Sequence, residues 1–314
     1  MTDTPDHTGR RILLVTHPRR QEAHDLALQV LGHLQAHGIE VAILGSDHGV
    51  PELEGRARAM GDDDPVQGCE LVVVLGGDGT ILRGAELARG SAVPVLGVNL
   101  GHVGFLAEAE REELKATVDR IVRRDYTVEE RMALEVNIHV DGRAVDQTWA
   151  LNEVSVEKAA RERMLQVTLE VDGRPLSTWG CDGVVVATPT GSTAYAFSAG
   201  GPVVWPDVEA MLVVPLSAHA LFARPLVVGP DCHLAIELMP DPDRTGVLWA
   251  DGRRSRDLPT GARVEVVRSS VPVRLARLAS APFTDRLVAK FDLSVDGWRG
   301  ASRRDNGRDA AGRA

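Results

Sequence analysis

The hydrophobic pattern divides the chain into two textures. Up to about residue 125, short apolar runs alternate with segments of helical period. Residues 11–15 (RILLV) read as a strand buried on both faces, because an unbroken apolar run of that length suits a sheet covered on each side. Residues 21–37 place Leu26, Val30, Leu31 and Leu34 at helical spacing, and Gly38 stands where a helix stop belongs. Residues 39–44 are again strand-like, and 70–75 (ELVVVL) form a strand that runs straight into GGDGT at 76–80. A helix over 81–89, a strand over 93–98 and a helix over 112–124 complete the series. Strand and helix in alternation predict a parallel sheet with crossover helices. Between them, 46–67 is rich in Gly, Asp and Pro and reads as a long loop with a short helix around 52–60.

After Tyr126 the period shortens. Residues 132–140 alternate up to a hairpin signal at Asp141-Gly142, and 167–171 repeat the arrangement before Asp172-Gly173. Further short strands are predicted over 177–188, 212–216, 234–238, 247–249 and 264–267. Many short strands with little helix between them predict a β-rich, sandwich-like domain. The DGR triplets at 141, 172 and 251 differ in spacing and flanks, so they read as turn chemistry rather than a repeat. Residues 282–291 return to a helical pattern, and 300–314 lack apolar anchors and read as a disordered tail. The expected organisation is an α/β domain over 1–126 and a β-rich domain over 127–280. A segment over 281–299 then returns to the first domain, ahead of the tail.

Composition narrows the class. The 314 residues are 44% hydrophobic and 25% charged, a globular balance. Thirty-five basic against 45 acidic side chains give a net charge of −10, which argues against nucleic-acid binding by bulk charge. No apolar run approaches the ~20 residues of a membrane helix, and the polar N-terminus has no export signal. Cys69, Cys181 and Cys232 are odd in number and far apart, which suits a reducing cytoplasm rather than a disulfide framework. His33 and His37 lie one helical turn apart without a third ligand in the pattern, and read as a solvated helix face.

Three segments carry candidate chemistry. GGDGT sits on a strand-to-helix turn, where open α/β sheets bind ligands and a helix N-terminus favours phosphate. Asp78 would repel phosphate, so it reads either as a metal or proton acceptor, or as the cap of a helix starting near Thr80. No Walker-A or dinucleotide glycine fingerprint is present. Asn152 and Glu153 interrupt the strand pattern LNEVSV at 151–156. Neighbouring strand residues face opposite ways, so the pair marks a strand end or bulge at a ligand, or an edge with two solvated side chains. The run 181–202, CDGVVVATPTGSTAYAFSAGGP, leads from a buried strand into a loop dense in hydroxyls, which reads as a ligand site.

GGDGT, the Asn152-Glu153 pair and DGVVVATPTGSTAYAFSAGGP at 182–202 together resemble the NAD kinases, over roughly residues 11–295. That resemblance implies an N-terminal α/β domain, a C-terminal β-rich domain and NAD bound between them. It also implies phosphoryl transfer from ATP or polyphosphate to the adenosine ribose 2′-hydroxyl, a divalent cation such as Mg²⁺, and homodimers or homotetramers. It makes Asp78 the general base, with Gly79 beside the dinucleotide and Gly76, Gly77 and Thr80 near the donor phosphates. Asn152 and Glu153 would hold the adenosine half. Asp182, Thr193, Ala194, Tyr195 and Ser198 would hold the nicotinamide end and ribose, and Arg83, Arg163 and Arg253 would add ligand or interface contacts. Many members carry Arg two residues before the aspartate of the DG motif; here Gly180 stands there, which implies use of NADH as well as NAD. A non-catalytic dinucleotide sensor and a lipid kinase are the rival readings; an intact GGDGT argues against the first, and the absence of a membrane-docking face against the second.

Overall fold

Strand Leu71–Leu75 is apolar at every position because it is covered on both faces in the middle of the first sheet. The computed structural model describes residues 9–17, 21–44, 53, 55–61, 63–100, 104–107, 109–110, 114–241, 244–278 and 282–295. Among them the first sheet has eight strands, in the order Arg58–Met60, Glu40–Leu44, Arg11–Thr16, Leu71–Leu75, Val95–Asn99, Val273–Arg277, Thr127–Arg131, with Ala109–Glu110 also paired to Val95–Asn99. All are parallel to their neighbours except Thr127–Arg131. Helices Gln21–Ala36 and Leu114–Val122 pack on one face and helix Asp78–Leu87 on the other. The chain builds outward from Arg11–Thr16 in one direction, then returns to add Leu71–Leu75 on its other side. The carboxyl end of Leu71–Leu75 is therefore the topological switch point, and GGDGT stands on it.

Two antiparallel sheets of six strands form the sandwich. One runs Leu226–Val228, Met211–Leu216, Gly183–Ala187, Glu153–Lys158, Gly246–Ala250, Arg254–Leu258; the other runs Arg174–Cys181, Leu165–Val171, Leu234–Leu238, Arg263–Arg268, Leu134–Val140, Arg143–Ala150. Val154, Val156, Val184 and Val186 of the first meet Val167, Leu169, Trp179 and Ile236 of the second in one core. All three DG pairs are hairpin turns with positive φ at both residues, as the turn reading requires.

The structure departs from the sequence pattern in five places. Of the expected short helix around 52–60, Leu53 is in a 3-10 turn and residues 52 and 54 lie outside the described residues, whereas its end forms the strand Arg58–Met60, which satisfies the backbone edge of Glu40–Leu44. Helix Asp78–Leu87 starts three residues earlier than expected, with Gly77 as its N-cap. The expected single strand 177–188 is two, Arg174–Cys181 and Gly183–Ala187, which belong to different sheets and meet at Asp182. The segment assigned wholly to the β-rich domain contributes Thr127–Arg131 and Val273–Arg277 to the first sheet. Asn152-Glu153 is not at a solvated edge, because Glu153–Lys158 lies between two partner strands. Helix Phe283–Phe291 forms where the helical pattern returns, and its Arg286 donates to the carbonyls of Phe105 and Ala107. Residues 300–314 lie outside the described residues. No helix among the described residues is long and apolar enough to cross a membrane.

Candidate active site

Asp78 is the first residue of its helix, and no side chain caps that helix. The carboxylate turns across to the segment 104–107 instead. Phe105 N–H donates to Oδ2 and Leu106 N–H to Oδ1, each at 3.3 Å. A β-carbon on Gly104 would overlap the same carboxylate, so glycine there is what lets the backbone close on Asp78. The capping alternative is thereby excluded, and Asp78 is left half-buried and held by two backbone donors at the switch point.

Beside it, Gly76 N–H is taken by the Val98 carbonyl within the sheet, and Thr80 packs its side chain over Gly76. Gly79 is exposed. Its carbonyl accepts from Arg253, which also pairs with Glu86 at 3.1 Å, so Arg253 ties the β-rich domain to the GGDGT helix. Arg83 is half-buried on that helix, one turn beyond Gly79.

Asn152 and Glu153 are both buried, at 8% and 7% exposure. What places them is a residue the sequence reading passed over. Asp251, in the third DG turn, accepts Asn152 N–H at 2.7 Å and Leu151 N–H at 3.0 Å, and it pairs with Arg254 at 2.9 Å. From below, Gly191 lies so close to the Asn152 backbone that a β-carbon would overlap its carbonyl, while Thr188 N–H and hydroxyl hold the Asn152 and Leu151 carbonyls. Burial and the neighbouring Asp251 push the Glu153 carboxyl up to about 8, against an opposing hydrogen bond from Tyr195 N–H. Its Oε2 is buried with no hydrogen-bond partner, a polar atom that a ligand could satisfy. Burial also raises the Asp251 carboxyl.

The hydroxyl-rich loop begins with a 3-10 turn, Thr190–Thr193, followed by one helical turn, Tyr195–Ser198. Ala196 anchors it on Val185, Ala187, Leu212 and Val214 of the sandwich's outer face. A cleft of about 660 Å³ on one side unites Asp182, Tyr195 and Ser198 with Lys158. Lys158 sits 2.5 Å from Asp182 and holds its carboxyl below the usual range, whereas burial raises the Tyr195 phenol. On the other side a cavity of about 520 Å³ is lined by Thr190, Thr193, Phe105 and Phe283. Ala194 is the half-buried residue between them. Arg163 stands on an exposed turn and lines neither space. His33 is paired with Asp119 and stacked on His37, consistent with a helix-face role.

A carboxylate at the switch point of an α/β sheet, with a buried acidic and hydroxyl-lined site on the facing β-domain, defines a phosphotransferase of the two-domain kinase class. Comparison with known proteins gives the family. The model of the ATP-NAD kinase N-terminal domain matches residues 12–126, and that of the ATP-NAD kinase C-terminal domain matches 151–278. NAD kinase 2 of Streptomyces coelicolor is 59% identical over 93% of this chain and 97% of its own, and the NAD kinase of Thermobifida fusca is 57% identical over 96% and 95%. The solved NAD kinase of Archaeoglobus fulgidus in complex with ATP superposes with a TM-score of 0.68 at 27% identity, covering 90% of this chain and 98% of that one. Yeast NADH kinase complexed with NADH shares the fold at a TM-score of 0.81 and 24% identity, over 92% and 89%. The chain belongs to the ATP-NAD kinase family, and it is an NAD kinase by activity.

Proposed function

We propose that this enzyme moves the terminal phosphoryl group of ATP, or of polyphosphate, to the 2′-hydroxyl of the adenosine ribose of NAD, giving NADP. The observation that carries the reading is Asp78, a carboxylate aimed by two backbone N–H groups at the sheet's switch point. A ribose hydroxyl is a weak nucleophile at neutral pH. Asp78 accepts its proton as the new oxygen–phosphorus bond forms and the bond to the leaving phosphate oxygen breaks. Glu153, with its unpartnered oxygen, and Asn152 hold the adenosine side; Asp182, Thr193, Ala194, Tyr195 and Ser198 hold the remainder of the dinucleotide. Gly76, Gly77, Gly79 and Thr80 form the floor on which the transferred group sits. Arg253 acts through Gly79 and Glu86 rather than on the ligand.

A divalent cation such as Mg²⁺ would neutralise charge on the donor phosphates. Among the described residues no three His, Cys, Asp or Glu side chains gather into a metal cage. This donor set fits a cation that arrives on the phosphates, with the Asp78 carboxylate available to share it. We also infer an acceptor range that includes NADH. Gly180 lies in an extended strand without positive φ, and a β-carbon there meets only Met164 Cε at 3.7 Å, so no backbone demand explains the glycine. Free Cys69, Cys181 and Cys232 support a reducing, cytoplasmic setting, and exposed Leu221 and Phe222 support a homodimer or homotetramer.

The deciding experiment incubates purified protein with Mg²⁺, NAD and either ATP or polyphosphate, and reads NADP with an NADP-specific dehydrogenase. NADP should appear with at least one donor. None with either would overturn the proposed reaction.

A further inference from the structure

Strand Glu153–Lys158 sends alternate side chains to opposite faces of its sheet. Val154 and Val156 enter the sandwich core, so Glu153, Ser155 and Glu157 share the outer face, under the hydroxyl loop. The Ser155 hydroxyl donates to Glu157 at 2.6 Å. Glu153 has no such neighbour. Opposite it on the adjoining strand stands Ala187, and the donor it does have is the Tyr195 N–H. Its Oε2 is buried without a partner. The second carboxylate of this wall, Asp251, is buried still deeper, with 1% of its side chain exposed.

Two neighbouring buried carboxylates cannot both ionise cheaply, and their donors decide which one keeps the charge. Asp251 accepts from the N–H groups of Leu151, Asn152 and Glu153 and pairs with Arg254. Among the described residues no lysine or arginine pairs with Glu153. The other titratable groups around it, Tyr195 on the loop and Glu157 on its own strand, add no positive charge. The proton therefore belongs on Glu153, in keeping with a carboxyl pushed up to about 8. An ionised carboxylate can only accept hydrogen bonds and would repel the phosphates of a dinucleotide, whereas an un-ionised one offers an O–H. We propose that Glu153 binds the adenosine half as a neutral acid, its Oε2 hydroxyl donating to an uncharged lone pair on the base or ribose. The assignment rests on the reading above that Asn152 and Glu153 hold the adenosine side.

Calorimetric titration of the full chain with NAD, without a phosphoryl donor, tests the assignment across about pH 6 to about pH 9.5. Wild-type affinity should be level on the acid side and fall towards roughly tenfold per pH unit on the alkaline side, as the ligand must return the proton to bind. Glu153→Gln keeps an N–H donor that no longer titrates. Its affinity should stay within about threefold of the wild type at about pH 6.5 and hold level to the alkaline end. Glu153→Met keeps the bulk without a donor and should bind roughly tenfold more weakly at every pH. A measurement on the wild type needs no variant to fold: with carbon-13 in the glutamate carboxyls, the signal that Glu153→Gln removes should titrate near the alkaline break in affinity. A signal that titrates in the ordinary glutamate range, or a Gln variant that binds as weakly as the Met variant at about pH 6.5, would overturn the proposal. Wild-type affinity independent of pH would overturn it and leave the adenosine-side reading intact. A wild type that binds no NAD at any pH would overturn both.

Discussion

At the scale of single residues, Asp78 and Glu153 are two carboxylates given opposite environments. Asp78 is half-exposed and held by backbone donors, whereas Glu153 is buried beside a second carboxylate. Asp78→Asn keeps the shape and removes the proton acceptor. Turnover should fall by about 10²–10⁴ with little change in NAD binding, read by steady-state kinetics and titration. Glu153, raised from an ordinary 4.5 to about 8, makes a different prediction. Between those values the folded state keeps a proton that the unfolded chain releases, so this residue's contribution to stability is lost as pH rises from 4.5 towards 8. Melting temperatures of wild type and Glu153→Gln across that range should diverge, the wild type losing ground at the alkaline end. Gly180 is the third case. Its extended backbone and open surroundings admit a side chain, and its carbonyl accepts the backbone N–H of His219. Gly180→Arg should therefore fold, and should lower kcat/KM for NADH more than for NAD; equal loss with both would separate this position from selectivity.

At the scale of elements, the C-terminal helix matters more than its length suggests. Phe283–Phe291 exposes most of its surface and buries only Leu287 fully, yet its two terminal phenylalanines flank Phe105, and Phe291 also stacks on Phe197 of the hydroxyl loop. One short helix thus holds the segment that holds Asp78. A chain ending at residue 281 should melt several degrees lower than one ending at 299, about the shift that 1–2 kcal/mol of lost packing produces in a protein of this size. Its kcat should fall as well, measured on whatever fraction remains folded.

At the scale of the whole molecule, the two domains are joined by charge and aromatic contacts around the site. Glu86 on the GGDGT helix receives both Arg253 and Arg254, and Arg254 pairs in turn with Asp251, which positions Asn152 and Glu153. Trp149 is held between the guanidiniums of Arg89 and Arg254, 4.3 Å and 4.6 Å from its ring centre. Asp251 is therefore the joint between the base's helix and the buried acidic pair. Asp251→Asn puts an amide where two backbone N–H groups and Arg254 need acceptors, at a cost of about 1–3 kcal/mol. The expected result is a lower melting temperature together with a raised KM for NAD, whereas a purely structural role would lower the first and leave the second unchanged.

Local chemistry made much of this molecule legible in its sequence. Apolar runs such as LVVVL require a doubly covered sheet, DG pairs accept positive φ at hairpin turns, and an aspartate inside a glycine turn is too poor a phosphate binder to be there for that alone. The three motifs that carry the family resemblance are each contiguous, and contiguous signals survive in one dimension. Tertiary structure alone decided the rest. Thr127–Arg131 and Val273–Arg277 pair across some 140 residues to finish the first sheet, and no periodicity within either strand announces its partner. Asp251 is one DG turn among three in sequence, and only the fold puts its carboxylate under the Asn152 N–H. Arg131, Arg277 and Arg286 stand far apart along the chain and line one cavity only when it folds. Burial, shared counter-charges and raised pKa values belong to groups brought near one another, so they exist only once the chain has closed.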